Sequence, residues 1–449
     1  MKRKLMTVVR RWKEEGCSRP LLIKGVRRCG KTYLAEEAGG SLFDDDWVKL
    51  DFQTDLARMD AVFVGPTSDV EGILRRISDY AGRAVTPATL LIFDEVQLSE
   101  RALNSLRFFS GTGQPIIATG SLFGMTLKRR ELPFPSGVQQ EELHPLDFEE
   151  FLWAYDQCPM AEAIREHARS LEPYVLHDRA LELFDRWTVV GGMPRPVLAS
   201  LGNQGFEPVR EEQREIADTY VSDMTDPENG ISGAAALRVW KSAPQQLVRS
   251  STKKFKYADV ERGGRRSRLL EPLEWLEAAG IVSQQNLTHD TSAPLTPAGD
   301  EDGSFFKVFV ADTGIMFHQF GIGAETYLDP NVRPLLSADF RGGLAENATM
   351  QAFEANGIET FYWTPGQSGG SGELDFVYQD RLARVVPVEV KSGRNVGART
   401  LKRFMTEARS PYAVRLSTKQ FGRSVDEKTG MELRSLPLYA AFCLGTDAV

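Results

Sequence analysis

The sequence has few cysteines and no long apolar run. Its cysteines, Cys17, Cys29, Cys158 and Cys443, show no paired spacing, which indicates a reducing compartment, the cytoplasm, and excludes a zinc site. No run of about 18 apolar residues occurs, so no segment is expected to cross a membrane. The basic N-terminus lacks the apolar core and cleavage site of a signal peptide, and it predicts an amphipathic helix.

The sequence also lacks an overall positive charge. It has 62 acidic and 54 basic residues, a formal net charge of −8, which excludes a nucleic-acid binder that is basic throughout but leaves room for local basic regions. Its 449 residues, 42% of them hydrophobic, are enough for large cores, and a chain of this length is expected to form about two to four domains.

A phosphate-binding loop is the most specific motif present. Residues 25–32 read GVRRCGKT and match GxxxxGK(S/T), between an apolar strand and a helix that continues TYLAEEA. The glycines allow a tight turn that aims backbone N–H groups at phosphate oxygens, the lysine reaches the β- and γ-phosphates, and the threonine ligates magnesium. The alternative is a chance glycine-rich turn. The residues expected to bind ATP are Gly25, Val26, Arg27, Arg28, Cys29, Gly30, Lys31 and Thr32.

Two further strands end in polar residues. LLIFDE (90–95) is typical of a strand buried in a parallel sheet; Asp94 is expected to hold magnesium, and Glu95 to polarise the attacking water. PIIATGS (115–121) predicts a neighbouring strand whose Thr119 or Ser121 contacts the γ-phosphate or that water. The alternatives are a solvated acidic turn and ordinary polar strand ends.

The pattern of strands and helices divides the chain into four parts. Residues 1–155 alternate strands and helices, which predicts an α/β P-loop NTPase domain built on a parallel sheet. Residues 156–235 are helical and charged, with a fixed turn at VVGGMPRP. Residues 236–300 predict a compact helical, winged-helix-like unit followed by a strand. Residues 301–449 are the fourth, α/β part, whose resemblance to nucleases rests on the charged residues described below.

A basic stretch lies inside this acidic protein. Residues 249–268 contain eight basic and two acidic residues, a local charge of +6. With the following helix and strand, the pattern resembles a winged helix-turn-helix that presents one helix to DNA. The alternatives are a solvated helix face or a contact with another protein. The residues expected to contact DNA phosphates are Arg265, Arg266 and Arg268, supported by Lys253, Lys254 and Lys256.

A second group of chemically active residues lies near the C-terminus. GELDFVY (372–378) and VVPVEVKSG (385–393) predict two strands of a hairpin. Residues two apart on a strand share a face, so Glu389 and Lys391 are expected on one face. An Asp and a Glu on neighbouring strands can hold one divalent cation, magnesium or manganese, and these are Asp375 and Glu389.

Two more residues complete this predicted centre. Lys391 is expected to orient a water nucleophile or to neutralise charge in the transition state, and a helix upstream supplies Glu346 as an extra ligand. The order of these residues resembles the PD-(D/E)xK nuclease fold. The alternatives are a hairpin with salt-bridged charges and a nuclease-like core that folds but no longer cuts.

The order of motifs along nearly the whole chain resembles one family. Phosphate loop, LLIFDE, ATGS, LHPLDFEEFL, GGMP, EWLEAAG, VADTG and ELDFV…VEVKSG follow one another as in bacterial and archaeal AAA-type ATPases with a C-terminal DUF4143 domain. The resemblance implies an AAA-type ATPase core, a helical and winged-helix middle and a restriction-endonuclease-like end. It implies a nucleotide site at Lys31, Thr32, Asp94 and Glu95, and a nuclease-like core at Glu346, Asp375, Glu389 and Lys391.

One position departs from the family's pattern. Many members carry an arginine after a glycine just before the LHPLDF-like strand, whereas Val138 follows Gly137 here. Arg129 and Arg130 are the nearby substitutes for an arginine finger.

Three functions fit these patterns. The first is an ATP-hydrolysing motor or switch that acts on DNA and carries its own metal-dependent nuclease. The second is an ATP-switched DNA-binding protein whose nuclease-like domain only grips. The third is a protein–protein switch with the terminal domain as a docking surface, for which the partner is a second copy of the chain or another protein. Intact Asp375, Glu389 and Lys391 favour the first over the second, and the basic stretch favours either over the third.

Overall fold

The computed structural model describes residues 1–121, 136–202, 205–249, 253–298, 305–366, 372–391, 399–408, 410–427, 430–447 and 449. These residues form two compact units, Met1–His144 with Ala278–Gly280 and Pro145–Glu277 with Ile281–Val449. Within the described ranges, no helix has both the length and the apolar character needed to cross a membrane.

The first unit is built on a parallel sheet, as predicted, and this sheet has five strands. The strand order is β2-β3-β4-β1-β5, and every neighbouring pair is parallel. The strands are β1 (Leu21–Gly25), β2 (Trp47–Asp51), β3 (Leu90–Asp94), β4 (Ile116–Ser121) and β5 (Gln139–Glu142); the helices are α1 (Leu5–Glu14), α2 (Lys31–Leu42), α3 (Leu56–Val62), α4 (Val70–Ala81) and α5 (Glu100–Ser105). Because β4 lies between β1 and β3, the carboxyl ends of these three strands meet at one edge of the sheet.

Apolar packing fixes the position of β3 in this sheet. Every residue of β3 is buried, as the run LLIF predicted for a strand covered on both faces. Phe93 packs edge-on against Phe63, with ring centroids 5.4 Å apart, and each buried phenyl group contributes about 2–3 kcal/mol through its removal from water. The packing therefore holds the following residues, Asp94 and Glu95, at a defined place on the sheet edge.

The second unit joins helices to a mixed sheet with the order β12-β13-β11-β10-β9-β8-β6-β7. The helices are α6 (Phe148–Ala154), α7 (Cys158–Ser170), α8 (His177–Val190), α9 (Pro194–Ser200), α10 (Glu207–Thr225), α11 (Gly233–Arg249), α12 (Tyr257–Val260), α13 (Arg266–Ala278), α14 (Thr313–Gln319), α15 (Ala324–Leu328), α16 (Ala338–Ala355) and α17 (Arg399–Ala408). The strands are β6 (Val282–Thr288), β7 (Phe306–Val310), β8 (Thr360–Trp363), β9 (Leu374–Gln379), β10 (Val385–Val390), β11 (Tyr412–Ser417), β12 (Gly422–Val425) and β13 (Glu432–Pro437).

Strand β6 links the middle of the chain to its C-terminal part. It pairs antiparallel with β7 and parallel with β8, so the strand predicted to follow the winged-helix-like helices belongs to the same sheet as the C-terminal hairpin. The predicted hairpin itself is confirmed, because β9 and β10 pair antiparallel. The division of the chain into four parts stays a prediction.

The turn predicted at VVGGMPRP connects α8 to α9, and it is hydrogen-bonded to Asp312, the residue before α14. After α8 ends at Val190, Gly191 adopts a φ of 80°, in the left-handed region. The N–H of Gly192 donates to Oδ2 of Asp312 at 2.5 Å, and the N–H of Ile315 donates to Oδ1 at 2.9 Å. Burial raises the pKa of Asp312 to about 6, although these hydrogen bonds lower it. One buried carboxylate therefore caps α14 and holds the turn.

Candidate functional sites

The phosphate loop has the backbone that its sequence predicts. The loop connects β1 to α2, which begins at Lys31, and Gly30 adopts a φ of 98° as the residue before the helix. A Cβ atom on Gly25 would lie 2.3 Å from the carbonyl oxygen of Leu143 and 2.9 Å from Sγ of Cys29. Both glycines are thus required, the first by space and the second by its backbone conformation.

Lys31 is folded back into its own loop. Its side chain is buried, and its Nζ donates to the carbonyl oxygens of Gly25 and Val26, each at 3.1 Å. Cys29 in the same loop is also buried, and burial raises the pKa of its thiol, so this side chain contributes no negative charge. The loop therefore holds one ammonium group among backbone dipoles.

Asp94 is the centre of a hydrogen-bond network at the carboxyl ends of β3 and β4. Thr32 Oγ1 donates to its Oδ1 at 2.8 Å, and Thr119 Oγ1 donates to the same oxygen at 2.5 Å. Lys49 Nζ lies 3.5 Å from Oδ2. Of the two predicted contacts on β4, Thr119 thus reaches Asp94. A hydroxyl and a carboxylate oxygen suit magnesium, which keeps several waters and takes few protein ligands, so Thr32 and Asp94 fit this ion.

Glu95 is restrained by a residue that the sequence analysis missed. Glu95 has a φ of 56°, and its N–H donates to Thr119 Oγ1 at 3.2 Å. Nε2 of Gln97 donates to Oε2 of Glu95 at 2.5 Å and to Oγ of Ser121 at 3.3 Å. Gln97 thus connects Glu95 to Ser121.

Two residues of this site carry little signal in the sequence. Lys49 lies in the strand VKLDF and could be suspected only as a lysine within an otherwise apolar strand, whereas nothing near Gln97 marks it. The candidate arginine fingers Arg129 and Arg130 lie outside the described residues. Val138, which stands where the family carries an arginine, packs against the apolar core of the sheet.

The C-terminal hairpin places its charged residues together. Its register pairs Phe376 with Val388, so the next position places Asp375 opposite Glu389. Oδ2 of Asp375 accepts a hydrogen bond from the N–H of Val390 at 2.8 Å. Lys391 Nζ lies 3.2 Å from Oε1 of Glu389. The predicted proximity of these three charged residues is thus present in the hairpin.

Glu389 has a second basic neighbour and a raised pKa. Arg415 Nε lies 3.8 Å from its Oε2. Burial raises the pKa of Glu389 and the charge of Asp375 raises it further, while Lys391 and Arg415 lower it. Glu389 is therefore a buried carboxylate that lies beside a second carboxylate, Asp375.

Glu346 reaches the same region from α16 but is paired with lysines. It is buried and forms an ion pair with Lys253, and Lys307 Nζ lies 3.9 Å from its Oε2. Lys307 is itself completely buried and lies 2.8 Å from Glu373. Burial raises the pKa of Glu346, and the charge of Asp375 raises it further, whereas both lysines lower it.

The three predicted ligands do not form a ready metal site. Oε2 of Glu346 and Oε2 of Glu389 are buried without a hydrogen-bond partner, but each has a basic group within ion-pair distance, Lys307 and Arg415 respectively. No set of three or more His, Cys, Asp or Glu side chains in the described residues is arranged to hold a metal ion. Asp375 and Glu389 therefore suit a cation, whereas Glu346 is already neutralised by Lys253 and Lys307. The metal-ligand role of the three carboxylates stays a prediction.

The basic stretch divides into an exposed and an inward part. The arginines at the start of α13 and one lysine are exposed, whereas the other two lysines are partly buried. Arg268 lies 3.1 Å from Glu261, and Lys254 lies over the ring of Phe305, 5.1 Å from its centroid. Of the six residues predicted to contact DNA, the exposed ones are Arg265, Arg266, Arg268 and Lys256, and the inward ones are Lys253 and Lys254. Arg249 and Arg262 of the same stretch are exposed as well.

Family models match three parts of the chain. Residues 18–152 match an AAA domain, residues 181–326 match a domain of unknown function, DUF8612, and residues 341–436 match another, DUF4143. No match was found among curated proteins.

Solved structures with some similarity include AMPPCP-bound DnaA from Aquifex aeolicus, with 14% identity and a TM-score of 0.28 over 62% of this chain and 89% of that chain. A DNA replication initiation factor is similar at 13% identity and a TM-score of 0.27 over the same shares.

Proposed function

We propose that this chain, in which residues 18–152 match an AAA domain and residues 341–436 match DUF4143, is a P-loop ATPase that hydrolyses ATP with magnesium and uses the reaction to act on DNA. The observation that carries the ATPase chemistry is the network around Asp94, in which Thr32 and Thr119 both donate to one carboxylate oxygen. Through this network Thr32, at the end of the phosphate loop, lies next to the carboxyl ends of β3 and β4. The acidic and hydroxyl groups of this network would then lie next to phosphates bound by the loop.

Each residue of the site has a distinct task in this proposal. When ATP binds, Lys31 exchanges two carbonyl partners for phosphate oxygens, because hydrogen bonds between ionised groups are stronger than those to neutral carbonyls. Thr32 and Asp94 hold magnesium, which when bound neutralises charge on the β- and γ-phosphates. Thr119 fixes the orientation of Asp94. Glu95 accepts a proton from the attacking water once Gln97 releases its carboxylate.

Replacing Glu95 with glutamine should separate binding from turnover. An amide cannot accept the proton of the attacking water, so we expect kcat to fall by about 100-fold or more. ATP affinity should stay within about threefold of wild type, because Glu95 does not hold the phosphates. Phosphate release and binding of a fluorescent ATP analogue measure the two quantities. Glu100→Gln, at an exposed position on α5, is the matched control and should turn over normally. Glu95→Gln with wild-type turnover would remove this residue from the mechanism.

The action on DNA is supported by the exposed arginines of α13. Arg265, Arg266 and Arg268 are exposed near the start of one helix, in a protein with a net charge of −8. Since the remaining surface carries excess negative charge, a local basic surface is where DNA phosphates would be attracted.

Changing Arg265, Arg266 and Arg268 together to glutamate should weaken DNA binding and flatten its salt dependence. Each lost phosphate contact lowers the slope of log affinity against log salt by about 0.9, which fluorescence anisotropy at several salt concentrations measures. A control with the same charge change carries glutamate at Arg75, Lys241 and Arg423, three exposed and scattered positions. Equal effects of the two triple variants would assign the basic stretch to a protein contact.

A second candidate function, metal-dependent DNA cleavage, is favoured by the C-terminal hairpin. Asp375 stands opposite Glu389, Lys391 lies 3.2 Å from Glu389, and a buried oxygen of Glu389 has no hydrogen-bond partner. In this proposal Asp375 and Glu389 hold the cation, and Lys391 neutralises charge that develops at the scissile phosphate. Without cleavage, the same charged residues would serve only to grip DNA.

Asp375→Ala distinguishes these alternatives. If the domain cuts, cleavage of plasmid and of linear DNA with manganese should fall to background in this variant, and thermal stabilisation by manganese should disappear. Asp339→Ala, at an exposed position in the first turn of α16, should behave as wild type. Stabilisation by manganese without cleavage would indicate a gripping domain. If manganese has no effect and the variant is only less stable, the hairpin holds a salt bridge.

A further inference from the structure

Phe305 is an exposed aromatic side chain whose backbone is held by the sheet. It directly precedes β7, and its side chain is 48% exposed. Its carbonyl oxygen accepts a hydrogen bond from the N–H of Leu287 in β6 at 3.1 Å. The next residue, Phe306, stacks on Phe255 with ring centroids 5.6 Å apart, whereas Phe305 packs against no other aromatic ring of the described residues. The sheet therefore fixes the position of a phenyl ring that remains in contact with water.

Lys254 lies over this ring and has no acidic partner of its own. Its Nζ is 5.1 Å from the ring centroid of Phe305 and 5.7 Å from that of Tyr362. In the part of the chain that the structure describes, no carboxylate lies within ion-pair distance of it, whereas the preceding lysine, Lys253, pairs with Glu346. Aromatic rings attract an ammonium group but do not neutralise its charge. Lys254 therefore presents a positive charge beside an exposed ring.

An aromatic ring beside such an ammonium group matches one unpaired nucleotide. The base offers a flat π face that stacks on a phenyl ring, and the neighbouring phosphate attracts the ammonium group. The bases inside a duplex are already stacked on each other and leave no face for the ring. Singly exposed apolar side chains are common on protein surfaces, but Phe305 has a backbone fixed by the sheet and a cation held against its ring.

Contacts between side chains connect Phe305 to the C-terminal hairpin. Tyr362, the second ring under Lys254, also has Lys307 Nζ at 5.1 Å from its centroid. Lys307 in turn lies 2.8 Å from Glu373, the residue before β9. A nucleotide stacked on Phe305 would therefore lie close to the strands that carry the charged residues of the hairpin.

We propose that Phe305 and Lys254 form a stacking platform for an unpaired nucleotide, so that the DNA on which this protein acts includes a single-stranded segment. The phenyl ring stacks on the base, and the ammonium group binds an adjacent phosphate. Binding forms and breaks no covalent bond. The proposal rests on the proposed action on DNA, and it names the form of DNA that is recognised.

Fluorescence anisotropy of the full chain with an oligonucleotide of about 12 thymidines tests the two contacts separately. Phe305→Leu keeps an apolar side chain but removes the π face, and it should weaken binding about tenfold without changing the salt dependence. Lys254→Met should lower the slope of log affinity against log salt by about 0.7. Phe305→Tyr retains the ring and should bind as wild type does. Tyr80→Leu, which removes an aromatic side chain with 42% exposure from α4, is the matched control and should also bind normally.

A duplex of the same length separates the stacking platform from other DNA contacts. Phe305→Leu should bind this duplex within about twofold of wild type, because its paired bases are already stacked. An oligonucleotide that carries 5-iodouracil should form a photocrosslink to Phe305 of the wild-type protein, which peptide mass spectrometry locates. Melting curves establish that each variant folds.

Several outcomes would overturn the stacking platform. These are oligonucleotide binding by Phe305→Leu at wild-type affinity, an equal loss of oligonucleotide and duplex binding in that variant, duplex binding by wild type without oligonucleotide binding, and crosslinks at other residues only. Failure of the proposed action on DNA is a different result, in which the wild-type protein binds neither form of DNA.

Discussion

Replacing Lys31 with alanine is expected to remove ATP turnover almost completely. Its ammonium group is buried inside the phosphate loop, where it donates hydrogen bonds to the carbonyl oxygens of Gly25 and Val26. The loop sequence GVRRCGKT contains no second lysine that could replace it. Loss of a positive charge that stabilises the transferring phosphoryl group should lower kcat/KM by about 10³-fold. Loss of its charge-assisted hydrogen bonds in the bound state should weaken ATP affinity by about 10- to 100-fold.

Two measurements check this expectation against an unspecific effect. Steady-state phosphate release gives kcat/KM, and titration with a fluorescent ATP analogue gives affinity. Lys241→Ala removes an exposed lysine on α11 and should leave both quantities unchanged. The melting temperature without nucleotide should be similar in the two variants, while ATP should raise it in Lys241→Ala only. Lys31→Ala that still hydrolyses ATP at more than a tenth of the wild-type rate would contradict the assigned phosphate site.

Replacing Gly192 with alanine is expected to cause a large loss of stability in the second unit. A Cβ atom there would lie 2.0 Å from the carbonyl oxygen and 2.6 Å from the backbone nitrogen of Leu146. Neither contact can be relieved by turning a side chain, because both partners are backbone atoms. Any shift of the turn also lengthens the hydrogen bond from Gly192 to Asp312, whose carboxylate is buried. We expect the free energy of unfolding to fall by about 3 kcal/mol or more.

Gly202 supplies the matched control for this substitution. A Cβ atom on Gly202 would lie 3.6 Å from the carbonyl oxygen of Ala199, an ordinary van der Waals distance. Gly202→Ala should therefore change the free energy of unfolding by about 0.5 kcal/mol or less. Calorimetric melting of both variants measures the difference. Similar melting temperatures of Gly192→Ala and Gly202→Ala would show that the turn can shift to accommodate the added methyl group.

Local motifs were the most predictable part of the structure. The phosphate loop, its strand and its helix lie within about twenty consecutive residues, so the glycine spacing and the apolar run already specify the backbone that Gly25 and Gly30 require. The run LLIFDE likewise predicted a buried strand that ends at Asp94, since burial on both faces leaves no polar position inside it. The hairpin of β9 and β10 followed from two apolar strands and the short turn between them.

Contacts between distant residues were harder to predict. The sequence offered Thr119 or Ser121 as partners at the end of β4, and the strand order decided that Thr119 reaches Asp94 whereas Ser121 contacts Gln97. Lys49 joins Asp94 because β2 lies next to β3. Such neighbours depend on which strands pair, and strand pairing depends on the packing of the whole sheet.

The sequence by itself determined the chemistry of the phosphate loop, the presence of a parallel sheet and the presence of a basic stretch. Each of these depends on patterns of residues close together along the chain. Tertiary structure alone decided how the charges combine. Lys253, counted with the DNA contacts, instead pairs with Glu346, 93 residues away, and Lys307 lies beside both Glu346 and Glu373. A buried carboxylate pairs with the basic side chain that the fold places next to it. Long-range packing determines which side chain that is, and a local sequence pattern carries no information about it.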